Sequence, residues 1–258
     1  MIDSHCHLDF DEFDGRRDET IMAALQAGIH TMINIGTDLG TSLRSVELAE
    51  QFDCIYATVG VHPHDAKTYD KNVADRLLAL TDNSRVKAVG EIGLDYYRDL
   101  SPRDAQQRVF RAQLEVAVAK KLPVVIHTRG SFAETVGIVR EYSSRLTGGI
   151  FHCFPGTVRE ALDVIDLGFH VSVGGVITFP RAKMADVAAS VPLESLLLET
   201  DCPYLAPVPY RGRTNQPAYV KYVRDKVAAL RKIPATEVER ITDHSCRKVY
   251  QLVDVFEG

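Results

Sequence analysis

Two histidines one residue apart, His5 and His7, stand in the opening segment Met1-Ile2-Asp3-Ser4-His5-Cys6-His7. The segment reads as a strand, in which side chains two positions apart share a face. Both imidazoles would then be offered side by side to one metal ion. Further polar residues end other apolar, β-rich runs. His62 and His64 lie in Val-Gly-Val-His-Pro-His, Glu91 in Val-Gly-Glu-Ile-Gly-Leu-Asp and His127 in Val-Val-Ile-His-Thr-Arg. His152 lies in Gly-Ile-Phe-His-Cys-Phe and Asp201 in Leu-Leu-Leu-Glu-Thr-Asp. A single histidine beside an apolar run is an ordinary hydrogen-bonded core or edge residue. A series of them at the same end of successive strands is the pattern of a shared site. His5, His7, His127 and His152 with Glu91 and Asp201 exceed the needs of one tetrahedral ion and suit two divalent ions. Glu91 is the expected bridge, one oxygen to each ion. His5, His7 and Asp201 would complete one position, and His127 and His152 the other. Two ions roughly 3.5–4 Å apart can clamp a phosphoryl group and acidify a bound water, with Asp201 placed to take its proton. Histidine and carboxylate donors suit zinc or manganese, whereas magnesium would be unusual with this many imidazoles.

Cys6, Cys153 and Cys202 each follow a proposed ligand directly. Thiolates bind zinc well, but strand alternation turns these neighbours toward the helix layer, where small cysteine side chains serve as packing. Asp201-Cys202 is the pair for which strand geometry has least hold.

Positioning such residues on one rim requires a regular array of strands. The expected strands are Met1–His5, His30–Ile35, Ile55–Val59, Val86–Ile92, Val124–His127, Gly149–His152, His170–Val173 and Leu196–Thr200. Helical patterns cover Arg16–Ala27, Thr41–Gln51, Ala74–Thr81, Pro102–Lys120, Ser131–Tyr142, Val158–Leu167, Pro217–Arg231 and Ala235–Leu252. Ser101, Ser131 and Thr157 read as N-caps, and Pro102 as a first-turn proline. Eightfold strand–helix alternation predicts a TIM (β/α)8 barrel with its site at the C-terminal mouth of the strands. A doubly wound sheet would carry a glycine-rich first turn, and acids and histidines stand there instead. No Pro/Ser-rich linker divides the chain, so residues 1–258 are expected to form one domain. The stretch 202–217, with Pro203, Pro207, Pro209 and Pro217, reads as an ordered loop over the site.

Composition sets the class. The chain has 258 residues, 45% hydrophobic and 25% charged, which fits an ordinary globular protein. No apolar run approaches the roughly 20 residues of a membrane span, and no signal peptide is visible. Five scattered cysteines without CxxC pairs suit a reducing cytoplasm, the expected location. The net charge of −5 argues against a broad duplex-binding face but not against a small cationic mouth.

The motifs taken together resemble the TatD family of metal-dependent hydrolases, over Ile2 to about Tyr250. They are Asp3-Ser4-His5-Cys6-His7-Leu8, Gly60-Val61-His62-Pro63-His64, Gly90-Glu91-Ile92-Gly93-Leu94-Asp95-Tyr96-Tyr97, His152-Cys153-Phe154 and Glu199-Thr200-Asp201-Cys202-Pro203-Tyr204-Leu205-Ala206-Pro207. The resemblance implies a TIM barrel, a dinuclear divalent-metal site and deoxyribonuclease activity. It carries the ligand role onto His5, His7, Glu91, His127, His152 and Asp201. The chain departs from the family pattern at His127-Thr128-Arg129-Gly130-Ser131 and at Pro209-Tyr210-Arg211-Gly212, beside the ligands and not on them.

Arg98, Arg129, Arg181, Lys183, Arg211 and Arg213 follow strand ends, and a guanidinium fork fits two phosphate oxygens. Tyr96, Tyr97, Phe154, Tyr204 and Tyr210 lie among them as surfaces on which unpaired bases could stack. His62 is the candidate phosphate contact or proton donor, with a structural hydrogen bond as the alternative. Arg129, Tyr204 and Arg211 are the other candidate substrate contacts. His30, His170 and His244 read as structural. The expected function is hydrolysis of phosphodiester bonds near an end of single-stranded DNA. The rivals are a metallohydrolase of another ester or amide (a small phosphate ester, lactone or aminoacyl ester) and a non-enzymatic scaffold.

Overall fold

The computed structural model of the protein describes residues 1–252; positions 253–258 of the expected span lie outside the described residues. Strands and helices alternate. In order they are β1 (Ile2–Cys6), α1 (Arg17–Gln26), β2 (Thr31–Ile35), α2 (Leu39–Gln51), β3 (Ile55–Val59), α3 (Lys71–Leu80), β4 (Val86–Asp95) and α4 (Arg103–Lys120). Then follow β5 (Val124–Arg129), α5 (Phe132–Tyr142), β6 (Gly149–Phe151), α6 (Val158–Ile165), β7 (Phe169–Val173), α7 (Lys183–Ser190), β8 (Leu196–Leu198), α8 (Val220–Arg231) and α9 (Ala235–Val249). The eight strands pair in sequence order, each parallel to the next. Parallel strands paired in sequence order and joined by helices form a TIM barrel. The seam closes through Asp201 N–H donating to His5 O and His7 N–H donating to Cys202 O, each at 2.9 Å. The Asp3 carboxylate reinforces it, accepting from Thr200 N (2.9 Å) and Thr200 Oγ1 (2.6 Å).

Two apolar layers hold the barrel. The outer one packs strands against helices around Phe13, Phe110, Leu114, Phe151 and Phe169. The inner one fills the barrel with Ile2, Ile33, Ile35, Ala88, Val125, Ile150 and Leu197, closed from below by Cys246, Tyr250 and Leu252 at the end of α9. Buried Tyr250 donates its hydroxyl to Ser4 O at 2.9 Å, one residue before His5.

Bulges aim the polar residues into the mouth. Between Asp3↔Met32 and Cys6↔Asn34, β1 spends one residue more than β2. Between Val89↔Val124 and Ile92↔Ile126, β4 spends one residue more than β5, at Gly90-Glu91. An extra residue bends its strand and re-aims side chains. Gly93 has φ +139°, and a Cβ there would lie 2.0 Å from His127 O, so only glycine lets β4 run this close to β5.

Several element limits differ from the sequence expectation. β4 and β5 run on to Asp95 and Arg129, whereas β6 and β8 stop at Phe151 and Leu198, leaving His152 and Asp201 on loops. Cys153 (φ +43°) and Asp201 (φ +55°) have left-handed backbones, so strand alternation does not extend to them. Helix α7 was not expected; eight residues give too short a periodic window to separate from a loop. Ser101 is not a cap: its hydroxyl donates to His64 O, and Pro102 holds the cap position. Ser131 sits at a cap position but donates to Leu94 O. Thr157 does cap α6, in a reciprocal box with Glu160. Among the described residues no helix is long and apolar enough to cross a membrane.

Candidate metal centre

Glu91 stands at the centre of the mouth, nearly fully buried. Its two oxygens face different imidazoles. Oε1 lies 2.8 Å from His152 Nε2, 2.9 Å from His127 Nδ1 and 3.4 Å from His62 Nε2. Oε2 lies 3.5 Å from His5 Nε2 and 4.0 Å from His7 Nε2. Asp201 Oδ1 reaches the same pair, 3.7 Å from His5 and 3.5 Å from His7. His5 and His7 come from β1 and its end, Glu91 from the β4 bulge and His127 from β5, while His152 and Asp201 follow β6 and β8. The His5 and His7 ring centroids are 5.0 Å apart, and His5 stacks on His152 at 4.0 Å. The six expected ligands thus converge on one spot.

The donor set fits cations. His7 Nδ1 faces the carbonyl of Ile35 at 3.1 Å, and a carbonyl only accepts, so His7 carries its proton there. The ring of His127 likewise turns Nε2 to Asp95 Oδ2 at 3.2 Å. In the neutral rings His7 Nε2 and His127 Nδ1 are then bare lone pairs. Yet His127 Nδ1 faces a carboxylate oxygen and His7 Nε2 lies 3.2 Å from His5 Nε2. Lone pairs aimed at anions and at one another are stable only with positive charge between them. Metal ions would meet that need, and three sets of donor atoms each fall within 4.8 Å of one another: His5, His152, Asp201; His5, His7, Glu91; and His62, Glu91, His127.

Protons respond to the same field. Burial works to raise the Glu91 carboxyl, but the surrounding imidazoles, His152 and His62 first, hold it well below its ordinary range. Burial disfavours a charged His152, but Glu91 and Glu199 push it well above the usual histidine value. His127 is raised against burial by Asp95 and Glu91, and His7 by Asp201. Asp201 is lowered against burial, chiefly by His7 and His5. Burial and the neighbouring His152 lower His5. Burial also lowers His62, to about 4, against the pull of Glu91.

His62 differs from the others in tautomer. His64 N–H donates to its Nδ1 at 3.1 Å, so the proton sits on Nε2, pointing at Glu91. In this tautomer it offers a proton and no lone pair at Nε2, so of the three donor sets the one through His62 is the least suited to an ion.

A cavity of about 660 Å³ opens above these groups. Arg129, Arg98 and Tyr204 line it, with His62 and Asp201 on its inner wall. The Arg129 guanidinium lies over the exposed Tyr97 ring at 4.1 Å. Tyr204 is half exposed and meets Phe10 edge-on at 6.2 Å, and Phe10 stacks on His7 at 4.6 Å. Arg211 does not line the cavity; it stacks over Phe179 at 4.5 Å. Phe154 is fully buried between Phe132 and Phe151 and presents no surface to a base. Tyr210 is stacked on Tyr219 at 4.2 Å. Cys6 and Cys202 are buried, and Cys6 Sγ donates to Ile33 O; none of the three neighbouring cysteines joins a ligand set among the described residues.

Sequence reasoning missed Asp95, Glu199 and Phe10. Asp95 accepts His64 Nε2 (2.8 Å) and His127 Nε2 on one oxygen, and the Tyr97 and Arg98 amides on the other. Burial works to raise its carboxyl, but these bonds hold it below the ordinary carboxylate range. Glu199 is fully buried behind His152, with Oε1 3.7 Å from Nδ1. A signal was present in the sequence: Asp95 stands four residues after Glu91 and Glu199 two before Asp201, each an acid in the same polar segment as an expected ligand.

Comparison with known proteins agrees with this geometry. The family model for TatD related DNase matches residues 2–251. The uncharacterized metal-dependent hydrolase YabD of Bacillus subtilis is 36% identical, over 98% of this chain and 99% of its own length. The 3'-5' ssDNA/RNA exonuclease TatD of Edwardsiella piscicida is 35% identical, over 98% of this chain and all of its own. The crystal structure of the Escherichia coli TatD homologue YJJV superposes with a TM-score of 0.93 at 33% identity, covering 98% of both chains. With its barrel, its rim of histidines around Glu91 and these relatives, the chain belongs to the TatD family of metal-dependent hydrolases.

Proposed function

We propose that the protein hydrolyses phosphodiester bonds near an end of single-stranded DNA, using two divalent ions. Glu91 would lie between the ions, with His5, His7 and Asp201 on one side and His127 and His152 on the other. When bound, the ions supply positive charge for the phosphoryl oxygens and lower the pKa of water. The chain supplies the rest. Asp201, held ionised by His7 and His5, takes the proton of the attacking water. His62, neutral and with its proton on Nε2, donates a hydrogen bond to a phosphate oxygen or to the leaving oxygen. Arg129 and Arg98 hold the neighbouring phosphate, Arg129 with its guanidinium plane braced on Tyr97. Tyr204 offers a face to an unpaired base. The cavity of about 660 Å³ has room for a strand end.

The observation that carries the reading is the two-sided contact of Glu91 below an arginine- and tyrosine-lined cavity. Relatives named as 3'-5' ssDNA/RNA exonucleases support the substrate class. The test uses metal-stripped protein reloaded with zinc, manganese or magnesium, given 5′-blocked and 3′-blocked oligonucleotides and a panel of carbonyl esters. Oligonucleotide cleavage that stops when one end is blocked is the expected result. Ester turnover with intact oligonucleotides would refute the proposal.

A further inference from the structure

The two sides of the centre are charged in different ways. The His5/His7 side has Asp201 within 3.5–3.7 Å as well as Glu91. The His127/His152 side shares Glu91 but has no second carboxylate among its expected ligands. Behind its imidazoles, however, stand two buried anions. Asp95 Oδ2 lies 3.2 Å from His127 Nε2, on the ring edge opposite Glu91. Glu199 Oε1 lies 3.7 Å from His152 Nδ1, again opposite the nitrogen that faces Glu91. His5 Nδ1 and His152 Nδ1 are both buried without a hydrogen-bond partner, but only His152 Nδ1 has a carboxylate within ion-pair distance, and His7 Nδ1 meets the neutral carbonyl of Ile35.

Among the described residues neither anion has a lysine or arginine as its own partner. The Glu199 oxygens accept from the Cys153 amide (2.8 Å) and from Ser172 Oγ (2.5 Å), both neutral. Asp95 takes two backbone amides and the rings of His64 and His127. A fully buried carboxylate held only by neutral donors is unfavourable unless positive charge lies within reach. For Glu199 the nearest candidate is on the His152 side, the ring itself or the ion it would hold. Carboxylates behind ligating imidazoles fix the tautomer and raise the basicity of the ligand.

We propose that Asp95 and Glu199 are positioning residues for the His127/His152 ion, acting through those rings and giving that side the negative charge that Asp201 gives the other side directly. Asp95 adds a second task. Its other oxygen fixes the Tyr97-Arg98 turn, so one carboxylate ties the arginine-bearing rim to an ion ligand.

The inference rests on the two-ion reading, and the test separates them. Metal-free protein is titrated with Mn²⁺ and followed by electron paramagnetic resonance, which distinguishes an isolated ion from a coupled pair. The parent should take up two equivalents. In Asp95→Asn and in Glu199→Gln the second equivalent should bind about 10- to 100-fold more weakly, while the first keeps its affinity. The unchanged first equivalent shows that each variant is folded. Ser172→Ala removes a hydrogen bond to Glu199 but leaves the charge, so it should retain both equivalents; loss of the second there would mean packing and not charge. Should Glu199→Gln fail to fold, Asp95→Asn decides alone. Variants that bind two ions as the parent does, or lose both equally, overturn this inference and leave the two-ion reading standing. A parent that takes up only one ion overturns both.

Discussion

Replacing Glu91 by glutamine removes one charge from a point shared by both sides of the centre while keeping the shape. Oε1 lies within 3.4 Å of three imidazoles and Oε2 within 4.0 Å of two more, so no other single residue touches both groups so evenly. A unit charge pair about 4 Å apart, at an effective dielectric near 20, is worth about 4 kcal/mol. At 1.4 kcal/mol per factor of ten, that is about 10³ in affinity. The amide oxygen can still coordinate, so the expected loss is about 10²- to 10³-fold for each of the two ions. Competition with a chelator of known strength, on metal-stripped protein, reads both constants. Arg129→Lys is the comparator: it should leave both constants unchanged and raise KM, because the charge stays while the fork and its stacking on Tyr97 are lost. The reasoning fails if Glu91→Gln binds both ions as the parent does, or if only one constant moves.

Asp201→Asn should keep the fold and at least one ion but slow hydrolysis by roughly 10²-fold or more; single-turnover cleavage of prebound single-stranded DNA at nearly the parent rate would remove Asp201 as the base. Metal uptake should release protons. His152, His127 and His7 have raised pKa values without metal, whereas the metal-binding form of a histidine is neutral. Affinity should therefore climb with pH while pH stays below those raised values and level off above them, and calorimetry in buffers of different ionisation enthalpy will count the protons. Gly93→Ala should destabilise the barrel and disturb His127, since a Cβ 2.0 Å from His127 O cannot be absorbed without moving β4 from β5; an unchanged melting temperature with unchanged second-ion affinity would contradict this.

The barrel and the converging set around Glu91 were legible because both follow from periodicity. Apolar runs name the strands, and a polar residue ending an apolar run is conspicuous. What escaped had other causes. Asp95 and Glu199 sit in the same motifs as Glu91 and Asp201, and an acid next to a presumed ligand is easily read as surface charge. Only the extension of β4 to Asp95 and the full burial of Glu199 show otherwise. Phe154 and Tyr210 lie among cations in sequence, but packing turns one into the core and stacks the other on Tyr219. Such choices depend on neighbours distant in the chain, which alternation does not record. The bulges in β1 and β4 likewise depend on the partner strand.

The seam has a bearing on when this centre comes into being. His5 and His7 are made long before Asp201, which lies far from them along the chain. The bonds joining Asp201 to His5 and Cys202 to His7 are the ones that close the ring of strands. Contacts of such sequence separation form late, because the intervening loop must first be ordered. A nascent chain, or a fragment cut within any of the intervening helices, therefore carries histidines but no complete centre. Ribosomes add roughly 5–20 residues per second, which leaves about ten seconds or more between the first proposed ligand and the last. The set around Glu91 is in this way assembled only when the two ends of the strand series meet, and a break that parts them would undo it.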